Sequence, residues 1–477
     1  MLLLRGALIV DGSGAQGWPG DLLVSGERIA ALGPRLQVDA AVPRRDCAGL
    51  VLAPGFIDAH SHDDAALITA PAMTPKLSQG VTSVVTGNCG ISLMPLVTSD
   101  PPPPMNLLAR EQFRHADFAN WRAAVEAARP AVNAVGLVGH TALRLRCMNN
   151  LNRPATAAER EAMCALLDDA MAQGAAGLSS GTFYTPATAA DSAELLALAR
   201  VAAKHGGVYA VHLRNEMTEV LEAIREAADC AHEAGLPLII SHHKCAGRAQ
   251  WGRSLQTLAL IEKLTERQAL GLDVYPYLAG STVLRDDLAD GFTPIRLTWS
   301  ESHPELAGRW LADIARDWGV SEPKAVARLQ PGGACYFQMH EDDVDRILTH
   351  PLAMIGSDGL PHDRFPHPRL WGAFPRVWAH YGRERGLLTL EQAVHKMTGL
   401  TAQRFGLRDR GALREGAAAD LVLFDAARFG DCADYGEPCV PAVGLVAVWV
   451  NGELALDDGL PLARAGRVLT RQARAGS

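Results

Sequence analysis

From residue 54 to about residue 408, short apolar runs alternate with longer stretches of helical character, and this alternation narrows the possible folds most. The first run, 50–53, leads into Gly55-Phe56-Ile57-Asp58. Further runs follow at 81–86, 133–138, 176–180, 208–211, 236–241, 272–275 and 352–356. Helical segments fall between several of them, at 156–173, 192–205, 216–234 and 255–269. Short, nearly continuous apolar runs separated by helices suit strands buried on both faces of a parallel sheet. Eight such repeats over this length predict an α/β fold of the TIM-type (β/α)8 barrel kind. A doubly wound open sheet is the competing arrangement, but no glycine-rich dinucleotide fingerprint follows an early strand.

The two ends read as β structure. Segments 21–24 and 28–32 flank Ser25-Gly26-Glu27, and segments 446–450 and 453–456 flank Asn451-Gly452. Asn-Gly supplies the positive φ angles of a type I′ hairpin turn. Residues 419–425 form one more short strand, and neither end has enough strands to bury a core alone. The expectation is therefore a small β-sandwich domain assembled from 1–53 and 409–477, with the barrel, 54–408, inserted between. Residues 283–345, which carry Trp299, Trp310 and Trp318, are too long for a simple connection and are expected to be an insertion.

Composition excludes several classes of partner. A net charge of −8 gives no support for nucleic acid or anionic membrane. Apolar Met1–Leu4 is too short for a signal peptide, and no run is long enough to span a bilayer. Nine cysteines, an odd count without compact spacing, suit a reduced cytoplasmic setting better than a disulfide framework. A cytoplasmic protein acting on a small molecule is expected.

Chemistry concentrates where the strands end, as it does at the C-terminal face of a TIM barrel. After strand one stand His60 and His62, which on an extended chain aim both imidazoles to one side, as paired metal ligands must. Strand two ends in Gly87-Asn88-Cys89-Gly90, strand five in His212, strand six in Ser241-His242-His243-Lys244 and strand eight in Ser357-Asp358-Gly359. Imidazole, thiolate and carboxylate are all ligands for zinc. His242 and His243 are neighbours facing opposite ways, so one of them is the ligand. Asp58 shares a strand face with the histidines and is expected to orient a ligand from behind. His140, after Gly139 at the end of strand three, is expected to be structural.

These motifs resemble the amidohydrolase superfamily, and specifically the N-acyl-D-amino-acid deacylases (D-aminoacylases). The stretch from Gly55 to Asp64, Gly87-Asn88-Cys89-Gly90, His212-Leu213-Arg214-Asn215-Glu216 and Ser241-His242-His243-Lys244 carry the resemblance. Segments 273–282, 356–359 and 411–421 extend it across nearly the whole chain. Cys89 is its most specific element, because many relatives bridge two metals with a carboxylated lysine instead. The resemblance implies that Cys89, His212 and His242 hold a tightly bound zinc, with His242 favoured over His243. It implies that His60, His62 and Asp358 form a second, weaker position and that Asp358 is the general base and acid. It further implies that Lys244, Tyr275, Ser281 and Arg369 surround the substrate, with Tyr184 beside them, and that the insertion covers the active site. The expected reaction is zinc-dependent hydrolysis of N-acyl-D-amino acids. A cyclic-amide hydrolase of hydantoinase type and a non-catalytic scaffold on the same barrel are the alternatives. Cys89 argues against the first, and the full set of ligand types argues against the second.

Overall fold

The structure is a computed structural model that describes residues 1–470; residues 471–477, the end of the expected 409–477 segment, lie outside the described residues. Eight strands form one parallel sheet: Phe56–Asp58, Val81–Thr86, Asn133–Gly139, Gly177–Gly181, Val208–His212, Leu238–Ile240, Leu270–Val274 and Ala353–Ile355. The first and last strands close the ring. Ala59 N donates to Ile355 O at 3.1 Å, and Asp358 N donates to His60 O at 2.8 Å. Alternate strand residues divide as a barrel requires. Ile57, Val85, Val135, Val208, Ala210, Ile239 and Met354 join one core. Phe56, Val84, Tyr209, Val211, Leu238 and Ile240 belong to the larger core shared with the helices.

The apolar run before His60 is not one strand. Val51–Pro54 pairs with Leu421–Phe424 in the sheet of terminal strands, whereas Phe56–Asp58 pairs with Val81–Thr86 in the barrel. Gly55 makes the crossing, where a Cβ would come within 2.3 Å of Thr82. Strands from both termini hydrogen-bond into one continuous nine-stranded sheet, the small β domain expected from the two ends. That sheet curls until its hairpin turns touch: a Cβ on Gly452 would lie 2.0 Å from Gly26 O. Leu4, Leu22, Ile29, Leu52, Leu423 and Trp449 fill its inner face.

Between barrel strands seven and eight, Ala279–Val283, Gly332–Phe337 and Ile295–Ser300 form a separate antiparallel sheet. With helices Leu311–Asp317 and Glu322–Leu329 it buries its own core around Leu297, Ile314, Val326 and Tyr336. The insertion thus starts at Ala279, earlier than residue 283. Helix Glu341–Thr349 packs against the eighth strand as part of the barrel's outer layer. All nine cysteines are free. Among the described residues no helix is long and apolar enough to cross a membrane.

Candidate metal centre and active site

Six side chains converge over the C-terminal ends of the strands: His60, His62, Cys89, His212, His242 and Asp358, all of them buried. Cys89 Sγ lies 3.3 Å from His60 Nε2 and 3.3 Å from His242 Nε2. Asp358 Oδ1 lies 3.2 Å from His62 Nε2 and 3.5 Å from His60 Nε2. Three trios have donor atoms within 4.8 Å of one another: Cys89–His212–His242, His60–His62–Cys89 and His60–His242–Asp358. Cys89 therefore stands between the two positions expected from the sequence rather than belonging to one alone.

The backbone that delivers these groups is not regular strand. The first strand ends at Asp58 and the sixth at Ile240, so His60, His62 and His242 all lie beyond strand ends. Cys89, His242 and Asp358 adopt φ angles of 56°, 35° and 48°. Non-glycine residues in this left-handed region are strained, and such residues persist where their surroundings over-determine them. Here those surroundings are polar and buried. Asp273 Oδ1 accepts from His242 N at 2.8 Å, and Asn88 Nδ2 donates to Val85 O at 2.9 Å. His243 points elsewhere, to Thr257 Oγ1 at 2.8 Å.

The donor set suits zinc. Two donors sharing a tetrahedral zinc, at about 2.3 Å for sulfur and about 2.0–2.1 Å for nitrogen, lie about 3.5 Å apart. The observed sulfur–nitrogen distances of 3.3 Å are close to that. Both ring nitrogens of His212 are buried without a hydrogen-bond partner, as is His62 Nδ1. Unsatisfied buried nitrogens of this kind call for a ligand. Burial pushes the Cys89 thiol up, but the imidazoles around it, His60 and His242 foremost, hold it well below its ordinary value. The thiolate is the form a metal binds. Burial likewise pushes Asp358 up, and Arg369 followed by His242 outweighs it, keeping the carboxylate ionised.

Groups that the sequence did not single out hold the ligands in place. Asp273 lies 3.3 Å from His60 Nδ1, and Glu216 Oε1 lies 3.1 Å from His242 Nδ1. A carboxylate behind a ligating histidine fixes its tautomer and raises its basicity. Glu216 stands four residues after His212, a spacing that could have drawn attention to it; Asp273 sits two residues before Tyr275. Asp58 acts on backbone rather than on an imidazole: its Oδ1 accepts from His60 N at 3.2 Å and Ser357 N at 2.8 Å. Its other oxygen accepts from Lys76 Nζ at 2.7 Å, and Lys76 is itself wholly buried. No pattern around residue 76 marked that lysine. His140 Nε2 pairs with Glu194 at 2.7 Å, in a buried cluster with Arg144 outside the metal site.

A narrow cavity opens onto the cluster, and Lys244, Tyr275, Ser281 and Tyr184 all line it. The insertion contributes Leu288, Tyr336 and Gln338 to its wall. Lys244 Nζ donates to Glu216 Oε1 at 2.6 Å, and Tyr184 meets Thr282 through their hydroxyls at 3.0 Å. The Tyr275 and Ser281 hydroxyls are buried without partners. Arg369 stands apart from the other substrate-binding candidates. It is not in the cavity wall but lies beneath Tyr275, its guanidinium carbon 4.5 Å from the ring centre.

Comparison with known proteins gives this geometry a family. The amidohydrolase family model matches residues 45–269 and 256–455. A D-aminoacylase of Alcaligenes xylosoxydans xylosoxydans is 50% identical over 476 residues, covering 99% of this chain and 98% of the relative. An N-acyl-D-aspartate deacylase of the same organism is 47% identical over 470 residues, covering 98% and 94%. The crystal structure of N-acyl-D-glutamate deacylase from Bordetella bronchiseptica, complexed with zinc and a phosphonate mimic of the tetrahedral intermediate, superposes with a TM-score of 0.95. It is 44% identical, with 99% of each chain covered. The chain belongs to the amidohydrolase family and, within it, to the family of the N-acyl-D-amino-acid deacylases.

Proposed function

We propose that this chain hydrolyses the amide bond of N-acyl-D-amino acids, releasing a carboxylate and a free D-amino acid. The observation that carries the reading is the Cys89–His212–His242 trio, all three residues lining the same cavity as Asp358 and the unpartnered Tyr275 and Ser281 hydroxyls. Cys89, His212 and His242 would hold a tight zinc, and His60, His62 and Asp358 a weaker second position. When bound, zinc supplies polarisation of the amide carbonyl and activation of the attacking water.

The chain's own groups supply the rest. Asp358 is the catalytic residue that takes the water's proton and delivers it to the departing nitrogen, without which an amide leaves poorly. Tyr275, Ser281, Lys244 and Arg369 hold the substrate's carboxylate, with Tyr184 beside them. Arg369 Nη2 is occupied by Asp358 at 2.9 Å, while Nε and Nη1 are buried without partners and remain able to donate. Asp58 keeps the ends of strands one and eight in register. The division of labour is a β domain from 1–53 and 409–477 and a catalytic barrel from 54–408, with the insertion that starts at Ala279 closing over the cavity. The nine free cysteines suit the cytoplasm, and a small molecule is the partner.

Paired N-acetyl-D- and N-acetyl-L-amino acids, assayed beside hydantoin rings, test the reading. Cleavage of the D-forms supports it; preference for the L-forms, or cleavage of hydantoins alone, overturns it.

A further inference from the structure

The family divides by substrate side chain: the relatives include a D-aminoacylase, an N-acyl-D-aspartate deacylase and an N-acyl-D-glutamate deacylase. Charge in the cavity decides which kind of side chain this chain accepts. An acidic substrate brings two carboxylates, so a site for it needs two sources of positive charge or an equal number of free donors. Among the described residues Lys244 is the one lysine or arginine in the cavity wall; it already donates to Glu216 at 2.6 Å and is assigned to the substrate's α-carboxylate. Arg369 lies behind Tyr275, with Nη2 2.9 Å from Asp358 Oδ2 and donating to Ser281 O at 3.1 Å; its Nε and Nη1, with the unpartnered Tyr275 and Ser281 hydroxyls, are enough for one carboxylate. Apart from the neutral groups of Tyr184, Thr282, Tyr336 and Gln338, the remaining wall offers carbon, from Leu107, Phe183, Leu288 and Leu360.

Arg285 does not supply the missing charge. Its guanidinium stacks 4.3 Å above the Phe183 ring, lies in the wall of a neighbouring cavity, and bonds Asp287 through Nε at 2.8 Å and Nη2 at 2.6 Å. Phe183 thus lines the cavity between His212 and Arg285, and its cationic neighbour is spent on an acid outside.

We propose that the cavity accepts N-acyl-D-amino acids whose side chains are uncharged and apolar, selected by Leu107, Phe183, Leu288 and Leu360, and rejects those with acidic side chains. The inference rests on the deacylase reading and narrows it. A second carboxylate placed against these carbons would lose its hydration and find no cation, whereas an aliphatic or aromatic side chain gains from the same contact. Leu288 is the most informative position, because it lines the cavity while only half-buried, at the edge of the insertion's own core.

The test measures kcat/KM of the zinc-loaded enzyme on the N-acetyl derivatives of D-leucine, D-phenylalanine, D-aspartate and D-glutamate, with Leu288→Arg alongside. Leucine and phenylalanine substrates are expected to exceed both acidic ones by roughly a hundredfold. Leu288→Arg is expected to narrow the leucine-to-glutamate gap by about tenfold, because it places an unpaired cation in the wall. Equal or preferred cleavage of an acidic substrate by the unaltered enzyme overturns the inference and leaves the deacylase reading standing. Cleavage of none of the four overturns both. A folded Leu288→Arg variant with an unchanged ratio overturns the role given to this wall, and if that variant does not fold, the unaltered enzyme's ratios decide alone.

Discussion

Arg369 Nη2 forms an ion pair with Asp358 Oδ2 at 2.9 Å, with the guanidinium fully buried and stacked on Tyr275. One cation thereby links the proposed proton-transfer group to the place proposed for the substrate carboxylate. Planar, forked donors make the arrangement specific to arginine. Arg369→Lys is expected to lower kcat/KM by about a hundredfold, mostly through KM, because lysine cannot serve both carboxylates at once. Steady-state kinetics on N-acetyl-D-leucine check this.

Lys76 offers a prediction about stability. Its ammonium group donates to Asp58 Oδ2 at 2.7 Å and Ser357 Oγ at 2.6 Å, and lies 3.3 Å from Asp63 Oδ2, with no exposure. Lys76→Met leaves two buried carboxylates facing each other without a cation. A loss of about 3–5 kcal/mol in unfolding free energy is expected, measured by urea denaturation.

Gly181 makes a prediction about the metal position. A Cβ there would come within 2.1 Å of Cys89 O, so the fourth strand presses directly on the backbone that carries the thiolate. Gly181→Ala is expected to push Cys89 aside and weaken zinc binding by about tenfold or more while the fold persists. Competition with a chelator reports the change, and circular dichroism reports the fold.

Barrel and ligand positions were legible for the same reason: short, nearly continuous apolar runs mark strands buried on both faces, and chemistry gathers where they end. Val81–Thr86, Asn133–Gly139 and Val208–His212 follow their apolar runs almost residue for residue. Cys89, His212, His242 and Asp358 could be picked out because each stands within three residues of the end of such a run. Lys76 could not. It sits in the short helix Thr74–Leu77, and its meaning comes from Asp58 and Ser357, distant in sequence. Glu216 and Asp273 were visible as motif letters, but their work on His242 and His60 depends on three-dimensional neighbours. The left-handed backbone at Cys89, His242 and Asp358 carries no sequence signal, since strained non-glycine residues are imposed by packing.

The buried Glu194 cluster predicts an acid response. Burial pushes the Glu194 carboxyl up, but hydrogen bonds from His140 and Arg144 outweigh it and bring it to about 2, against an ordinary 4.5. Burial drives His140 itself towards the neutral form, so the lasting charge opposite Glu194 is that of Arg144. Stability from this group is therefore complete above its ordinary value and is lost as pH falls towards about 2. Glu194→Gln is expected to be less stable than the unaltered chain near neutrality and to lose less on acidification. Urea unfolding at about pH 7 and about pH 3 tests both statements.

Zinc content measured together with turnover tests the central claim most directly. The unaltered chain, dialysed against a moderate chelator, should keep about one zinc per molecule. Its cleavage of N-acetyl-D-leucine should track the zinc retained, and Cys89→Ala should lose both. A chelator-stripped chain with full activity, or a Cys89→Ala variant that keeps its zinc and its rate, would contradict the account.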